Sequence, residues 1–268
     1  MNRLINYYNE YDEEGRLTTN NARKVELLTT TRVLDEIIPS NSKIIDVAAG
    51  TGVYAFHYAS KGHKVFAGDI VPKHVNIMNR KLEEHSCKEE LNIETGVLNA
   101  IDLSQFKDNS FDVVLCMGPI YHLLTEVDRK KCISECLRVL NKGGLLVVAY
   151  INKHFIMPML MKGNDELLNS ELVDKIVIDG IIRDGDKDCF WTDAYFTSPR
   201  EVEEMMEQFD IQEVEHIGTD GISPLLREYV DNLSEDEFKI WLEYHIQNCK
   251  EKSILGMSNH GLYICRKI

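Results

Sequence analysis

Two short runs, Lys43–Val47 and Lys64–Asp69, are apolar on both sides, and between them lie a glycine turn and a helix-length stretch, Val53–Lys61, that Gly62 is placed to cap. Strands apolar on both sides belong inside a parallel sheet, and two of them joined by one helix form a right-handed crossover. That unit constrains the fold most, because the alternation then repeats. Helical spacing runs from Lys73 to Lys88, Leu91–Leu98 reads as a third strand, and Phe111–Met117 is the clearest strand in the chain. A helix from Glu126 to Leu140 is broken by Asn141-Lys142-Gly143-Gly144, which turns into the buried strand Leu145–Tyr150. Upstream, Asn20–Ile38 carries an amphipathic pattern that stops at Pro39.

After Asn152 the texture changes. His154–Phe196 is irregular, with short helices and a hairpin expected around Lys175–Trp191. Ser198-Pro199-Arg200-Glu201 is a helix start that runs to about Phe209, Ile211–Ile217 is a strand, Ser234 opens a helix through Lys250, and Gly261–Arg266 closes the chain as a strand. The expectation is α/β: a doubly wound, mostly parallel seven-stranded sheet with helices on both faces and an added cap region. One domain, 1–268, is expected, with a cofactor-binding core over 20–152 and acceptor-cover insertions over about 153–197 and 221–260.

Thirty basic against forty-four acidic side chains leave a net charge of −14. Such a field repels polyanions, so no nucleic-acid substrate is expected. Met1–Tyr11 has no apolar core, and no later run approaches the roughly 18 apolar residues that cross a bilayer, so no membrane association is expected. Seven cysteines without framework spacing read as reduced thiols of a cytoplasmic protein. Cys132 and Cys136 lie on an apolar helical stripe and read as packing, so no metal is expected.

The turn after the first strand carries the chemistry. A loop for a dinucleotide's pyrophosphate places three glycines where this chain has Ala48, Gly50 and Val53, and no Gly-Lys-Ser/Thr follows to make a phosphate loop. Instead the carboxylate of Asp46 closes the strand before the turn. It sits poorly beside a pyrophosphate and suits a ligand that brings its own cation.

Asp46-Val47-Ala48-Ala49-Gly50-Thr51-Gly52, Asp69 at the end of the second strand, Asn99-Ala100, Phe111–Leu115 and Arg138–Gly144 appear in the order found in class I S-adenosylmethionine-dependent methyltransferases, which the chain resembles from about residue 43 to 150. The resemblance implies a Rossmann-like sheet, S-adenosylmethionine as cofactor and S-adenosylhomocysteine as product. It implies that Asp46, Ala48, Gly50, Thr51, Gly52, Asp69, Ile70, Asn99, Ala100 and Met117 surround the cofactor, with Asp69 holding the ribose hydroxyls and Asn99 or the Ala100 amide reading the adenine. Ala48 and Asn99 depart from the commoner Gly and Asp; alanine is tolerable at negative φ, and asparagine keeps a carbonyl oxygen to accept with.

Methyl transfer is a direct displacement, so alignment rather than side-chain chemistry dominates, and the acceptor is hard to read. A small-molecule acceptor is the reading adopted. The chain lacks the Asn/Asp-Pro-Pro-Tyr/Phe stretch of methyltransferases that act on nucleobases or glutamine; Gly118-Pro119-Ile120-Tyr121-His122 stands there instead. His122 is the candidate general base and Tyr121 the candidate orienting group. Tyr11 and Arg16, in a polar, aromatic N-terminal arm, are candidates to fold over the cofactor's methionine end. Trp191, Tyr195, Trp241 and Tyr244 are candidates for the acceptor cover. Two other classes share the sheet: a nicotinamide-dinucleotide oxidoreductase, and a non-catalytic module that only binds S-adenosylmethionine.

Overall fold

The computed structural model describes residues 2–85, 91–163, 167 and 169–268. Nine strands follow in chain order: β1 (Lys43–Asp46), β2 (Lys64–Asp69), β3 (Ile93–Val97), β4 (Phe111–Cys116), β5 (Leu140–Ile151), β6 (Ile181–Ile182), β7 (Ala194–Tyr195), β8 (Ile211–Gly218) and β9 (His260–Lys267). Seven of them form one sheet in the order β3-β2-β1-β4-β5-β9-β8. The first five run parallel, and β9 is antiparallel to both its neighbours. The strand order therefore reverses between β1 and β4, and in open sheets of this kind ligands bind beyond the carboxyl ends at that reversal.

The strands are apolar on both sides because helices cover both. Six helices matter here: α1 (Asn2–Glu10), α2 (Asn21–Ile37), α3 (Val53–Ser60), α4 (Pro72–His85), α5 (Glu126–Val139) and α6 (Lys153–Gly163). Ile44, Val113 and Leu145 pack with Leu34, Tyr58 and Met78 of α2, α3 and α4. The alternate residues, Ile45, Val114 and Leu146, pack with Ile133 and Val139 of α5 and with Met206. Each fully buried Ile, Leu or Val contributes about 1.5–3 kcal/mol, so neither layer is dispensable. Cys132 and Cys136 lie fully buried in the second layer, where Cys116 of β4 joins them, 3.7 Å from Cys132 between sulfurs, a third thiol that helical spacing does not reveal.

The cap has a core of its own. Ile156 and Leu160 of α6, Leu172, Ile176, Ile182 and Phe196 bury one another beyond the end of β5. The hairpin expected at 175–191 forms later in the chain, pairing β6 with β7, because Lys175–Asp179 coils into a π-helical turn ended by left-handed Gly180. Both expected helix starts carry complete capping boxes, Ser198 with Glu201 and Ser234 with Glu237. The helix expected over 73–88 is α4; its last three expected positions lie outside the described residues. No described helix is long and apolar enough to cross a membrane.

Candidate active site

At the end of β1 the chain turns over Gly50 (φ 55°) and Gly52 (φ 89°), a left-handed backbone that side-chain-bearing residues rarely adopt. A Cβ on Gly50 would also press on Glu13 Cγ at 3.4 Å, and one on Gly52 on Phe56 at 2.8 Å. The loop is tied down from the next strand: the Gly50 amide donates to Asp69 Oδ2 and the Val71 amide to Asp69 Oδ1, both at 2.8 Å. Each carboxylate oxygen keeps a second lone pair, which is what vicinal hydroxyls need. Ala48 has an unstrained φ, and its methyl is accommodated because residue 118 is glycine: a Cβ there would lie 3.0 Å from it.

This turn floors a cavity of about 310 Å³. Asp46, Ala48, Gly50, Thr51, Asp69, Ile70, Asn99, Ala100, Met117, Tyr121, His122 and Arg16 all line it. Gly52 instead shapes the turn from behind, as the residue from which α3 starts. Tyr11 does not reach this cavity; its ring stacks on Tyr7 and lines a neighbouring one. Leu4, Tyr8, Glu13 and Leu17 join Arg16 in the lining, so the N-terminal arm does lie over the site. Lys73 holds it there, donating to the carbonyls of Asn9 at 2.8 Å and Tyr11 at 3.2 Å at the end of α1.

Several polar atoms in the cavity wall are buried with no hydrogen-bond partner: Asp46 Oδ1, Thr51 Oγ1 and His74 Nε2, while His74 Nδ1 faces Asp69 Oδ1 at 3.2 Å. Buried polar atoms are nearly always paired, so the wall is built to be completed by a ligand. Burial, with the charge of Asp69 adding to it, raises the Asp46 carboxyl to about 8 against the pull of the Ala48 amide. A carboxyl in that position gains most from a cation placed beside it. S-adenosylmethionine fits this wall: an ammonium for Asp46, a diol for Asp69, and no phosphate to repel either. Asn99 meets it differently than expected. Its Oδ1 accepts from the Ile101 amide at 3.2 Å, which fixes the turn and occupies the oxygen that was expected to accept from a ligand.

His122 is also placed otherwise than a general base requires. The Asp193 carbonyl, 3.0 Å away, can only accept, so Nδ1 carries the proton; Nε2 then accepts from the Tyr8 hydroxyl at 2.9 Å. Burial lowers the imidazole to about 4, which makes it a poor base and a neutral link between the arm and the cap. Burial raises the Tyr121 phenol, whose hydroxyl donates to the Met117 carbonyl at 3.3 Å.

A second cavity, about 460 Å³, adjoins the first and shares Tyr8, Glu13, Arg16 and Tyr121 with it. Phe190, Trp191 and Phe196 of the cap wall one side. Of the four cap aromatics expected there, only Trp191 arrives. Tyr195 lies under the Arg129 guanidinium, Trp241 donates to Ser223, and Tyr244 is half exposed on an outer helix. The polar side is a chain of charges. Arg16 pairs with Glu13 at 2.9 Å and forks onto both oxygens of Glu26 at 3.0 and 3.1 Å, and His260 lies between Glu26 and Asp220. Burial raises Glu26, but Arg16 and His260 overcome it and hold the carboxyl below its ordinary value. Donor atoms of Glu26, Asp220 and His260 all lie within 4.8 Å of one another, and Arg16 supplies the cation that such a group attracts. Sequence reading missed His74, Glu26, Asp220 and His260; Tyr8 and Glu13 stood in the aromatic, acidic arm but were not singled out.

Residues 44–144 match the family model described as "Methyltransferase domain". The ubiquinone/menaquinone biosynthesis C-methyltransferase of Francisella philomiragia is 34% identical over 133 residues, 48% of this chain and 50% of that protein. The ubiquinone biosynthesis O-methyltransferase of Xanthomonas axonopodis is 28% identical over 115 residues, 43% of this chain and 45% of that one. The chain thus spans about half the length of the relatives it matches. Among solved structures, an S-adenosylmethionine-dependent methyltransferase of Methanosarcina mazei superposes with a TM-score of 0.60 at 18% identity, covering 88% of this chain and 97% of that one, which shows the shared fold.

Proposed function

We propose that the chain, whose residues 44–144 match a methyltransferase domain, moves the methyl group of S-adenosylmethionine to a small-molecule acceptor seated in the second cavity. The observation that carries this is the shared wall. Tyr8, Glu13, Arg16 and Tyr121 border both cavities, which places an acceptor site next to the cofactor's.

When bound, the cofactor supplies an electrophilic methyl on a sulfonium. The protein's part is placement. Asp46 balances the ammonium of the amino-acid tail, Gly50 and Gly52 let backbone approach it, Asp69 fixes the ribose and the Ala100 amide reads the adenine. The arm, held by Lys73 and by the Tyr8–His122 contact, covers the site and keeps water out. In-line transfer needs the acceptor within about 3–3.5 Å of the methyl, and such alignment contributes much of the acceleration.

The relatives are named for work on ubiquinone and menaquinone precursors, and the flat walls of Phe190, Trp191 and Phe196 suit a ring of that size. An oxidoreductase reading draws no support, because a dinucleotide's pyrophosphate would face the buried Asp46. Calorimetric titration with S-adenosylhomocysteine, then transfer of labelled methyl to a panel of phenols, amines and quinols, tests the proposal. Binding with transfer to one class is the expected result; no binding at millimolar ligand removes the reading.

A further inference from the structure

The second cavity holds a polar arrangement that the cofactor does not need. His260, the first residue of β9, turns Nδ1 to Asp220 Oδ2 at 2.7 Å. Asp220 is itself fixed: Ser258 Oγ donates to its Oδ1 at 2.7 Å, the His260 amide donates to the same oxygen at 3.0 Å, and its side chain is 3% exposed. The carboxylate therefore holds the Nδ1 proton and the plane of the ring. Nε2 is left as an acceptor, with no hydrogen-bond partner among the described residues, on a ring that lines the cavity. A nitrogen base aimed by a fixed carboxylate is the arrangement that takes protons from acceptor groups.

The groups facing this ring set its basicity. Asp220 comes from the turn after β8, Glu26 from α2 at 3.5 Å, the Asn259 amide at 3.1 Å from its own strand's start, and Arg16 from the arm beyond Glu26. Burial lowers the imidazole, but Glu26 and Asp220 overcome burial and Arg16 and hold it above its ordinary value. The contrast with His122, buried without a carboxylate and engaged at both nitrogens, decides which histidine is the base.

We propose that His260, aimed by Asp220, is the general base of the transfer and that the acceptor is a phenolic hydroxyl. This rests on the methyl-transfer reading above. The acceptor's O–H bond breaks and its proton goes to His260 Nε2. The oxygen's electron pair forms the new C–O bond as the S–CH3 bond breaks, leaving that bond's pair on a neutral thioether sulfur. The imidazolium then returns the proton to solvent. The class of acceptor follows from what the cavity leaves free. Glu26 and Asp220 are already paired, so no carboxylate remains for an ammonium; the walls are flat and aromatic; and a phenol, ionising near pH 10, is within an imidazole's reach where an aliphatic alcohol is not.

The chromophoric phenol 3-nitrophenol, a weaker acid than its 4-isomer, is the probe, added to the full chain saturated with S-adenosylhomocysteine at a pH below the probe's own pKa and above the point at which the His260 ring titrates in NMR spectra of the same complex. The expected result is a phenolate absorbance on binding that exceeds that of the free probe severalfold, is smaller in Asp220→Asn and is absent in His260→Asn. The wild-type protein gives a second readout that needs no variant: the His260 ring nitrogens move to imidazolium shifts in NMR spectra when the probe binds. Binding without ionisation, ionisation that persists in His260→Asn, or failure of the probe to bind the cofactor-product complex would each overturn the proposal. If S-adenosylhomocysteine itself fails to bind, it is the methyl-transfer reading that falls.

Discussion

The two cavities share a wall but treat their polar groups in opposite ways. Around the first, Asp46 Oδ1, Thr51 Oγ1 and His74 Nε2 are buried without hydrogen-bond partners. Around the second, Arg16 answers Glu13 and Glu26, and Asp220 answers His260. A wall with orphaned groups states what its ligand must bring, and the first cavity therefore names its cofactor. A wall that satisfies itself constrains its ligand by shape and by the few valences left over, and the second cavity names only a class of acceptor.

The largest effect should come from breaking the self-satisfied wall. Arg16→Leu strands two buried carboxylates, and leaving a buried charge unpaired costs about 3–5 kcal/mol. Thermal denaturation should show a fall of roughly 10 °C, at about 2–4 °C per kcal/mol for a domain of this size. A fall within a degree or two would mean that the charge chain is solvated rather than built in.

Asp46→Asn should do the reverse at the other wall. S-adenosylhomocysteine affinity should drop about 100-fold by calorimetry, since removing one member of a buried charge pair costs on the order of 3 kcal/mol. Yet the ligand-free protein should melt higher. An acid whose folded pKa lies above its unfolded value holds more protons when folded, so stability falls as pH rises between the two. For Asp46 that window runs from the ordinary aspartate value near 4 up to about 8. Above it the variant should be the more stable protein, and cofactor affinity in the wild type should weaken as pH falls below about 8. A variant that loses both affinity and stability would make Asp46 a structural residue.

Smaller effects come from the arm. Tyr8→Phe removes one hydrogen bond to His122, worth about 1 kcal/mol, so product affinity should fall roughly fivefold and amide exchange over α1 should speed up. Asn99→Asp should change affinity least, within about twofold, because the turn needs only the Oδ1 that either residue supplies. A tenfold change there would show that Nδ2 carries the adenine contact alone.

How far the sequence could be read follows the same division. Asp46, Gly50 and Asp69 lie at the ends of consecutive parallel strands, so short spacing and the apolar runs placed them together before any coordinates did. The doubly wound, mostly parallel character of the sheet was legible for the same reason. Asn99 was misjudged because its side chain serves its own turn, a local bond that composition does not show. His122 was misjudged because burial lowers its basicity and because Tyr8 and Asp193, the latter 71 positions away, engage both its nitrogens. Asp220 and His260 lie 40 positions apart and meet only because β9 runs antiparallel between β5 and β8. No spacing rule in the chain announces that register.

The most direct test is a crystal structure of the chain with S-adenosylhomocysteine. The account predicts the amino-acid tail beside Asp46, the ribose hydroxyls on Asp69, and the sulfur facing the wall formed by Tyr8, Glu13, Arg16 and Tyr121. A sulfur turned away from that wall, or a ligand lodged in the second cavity, would contradict it.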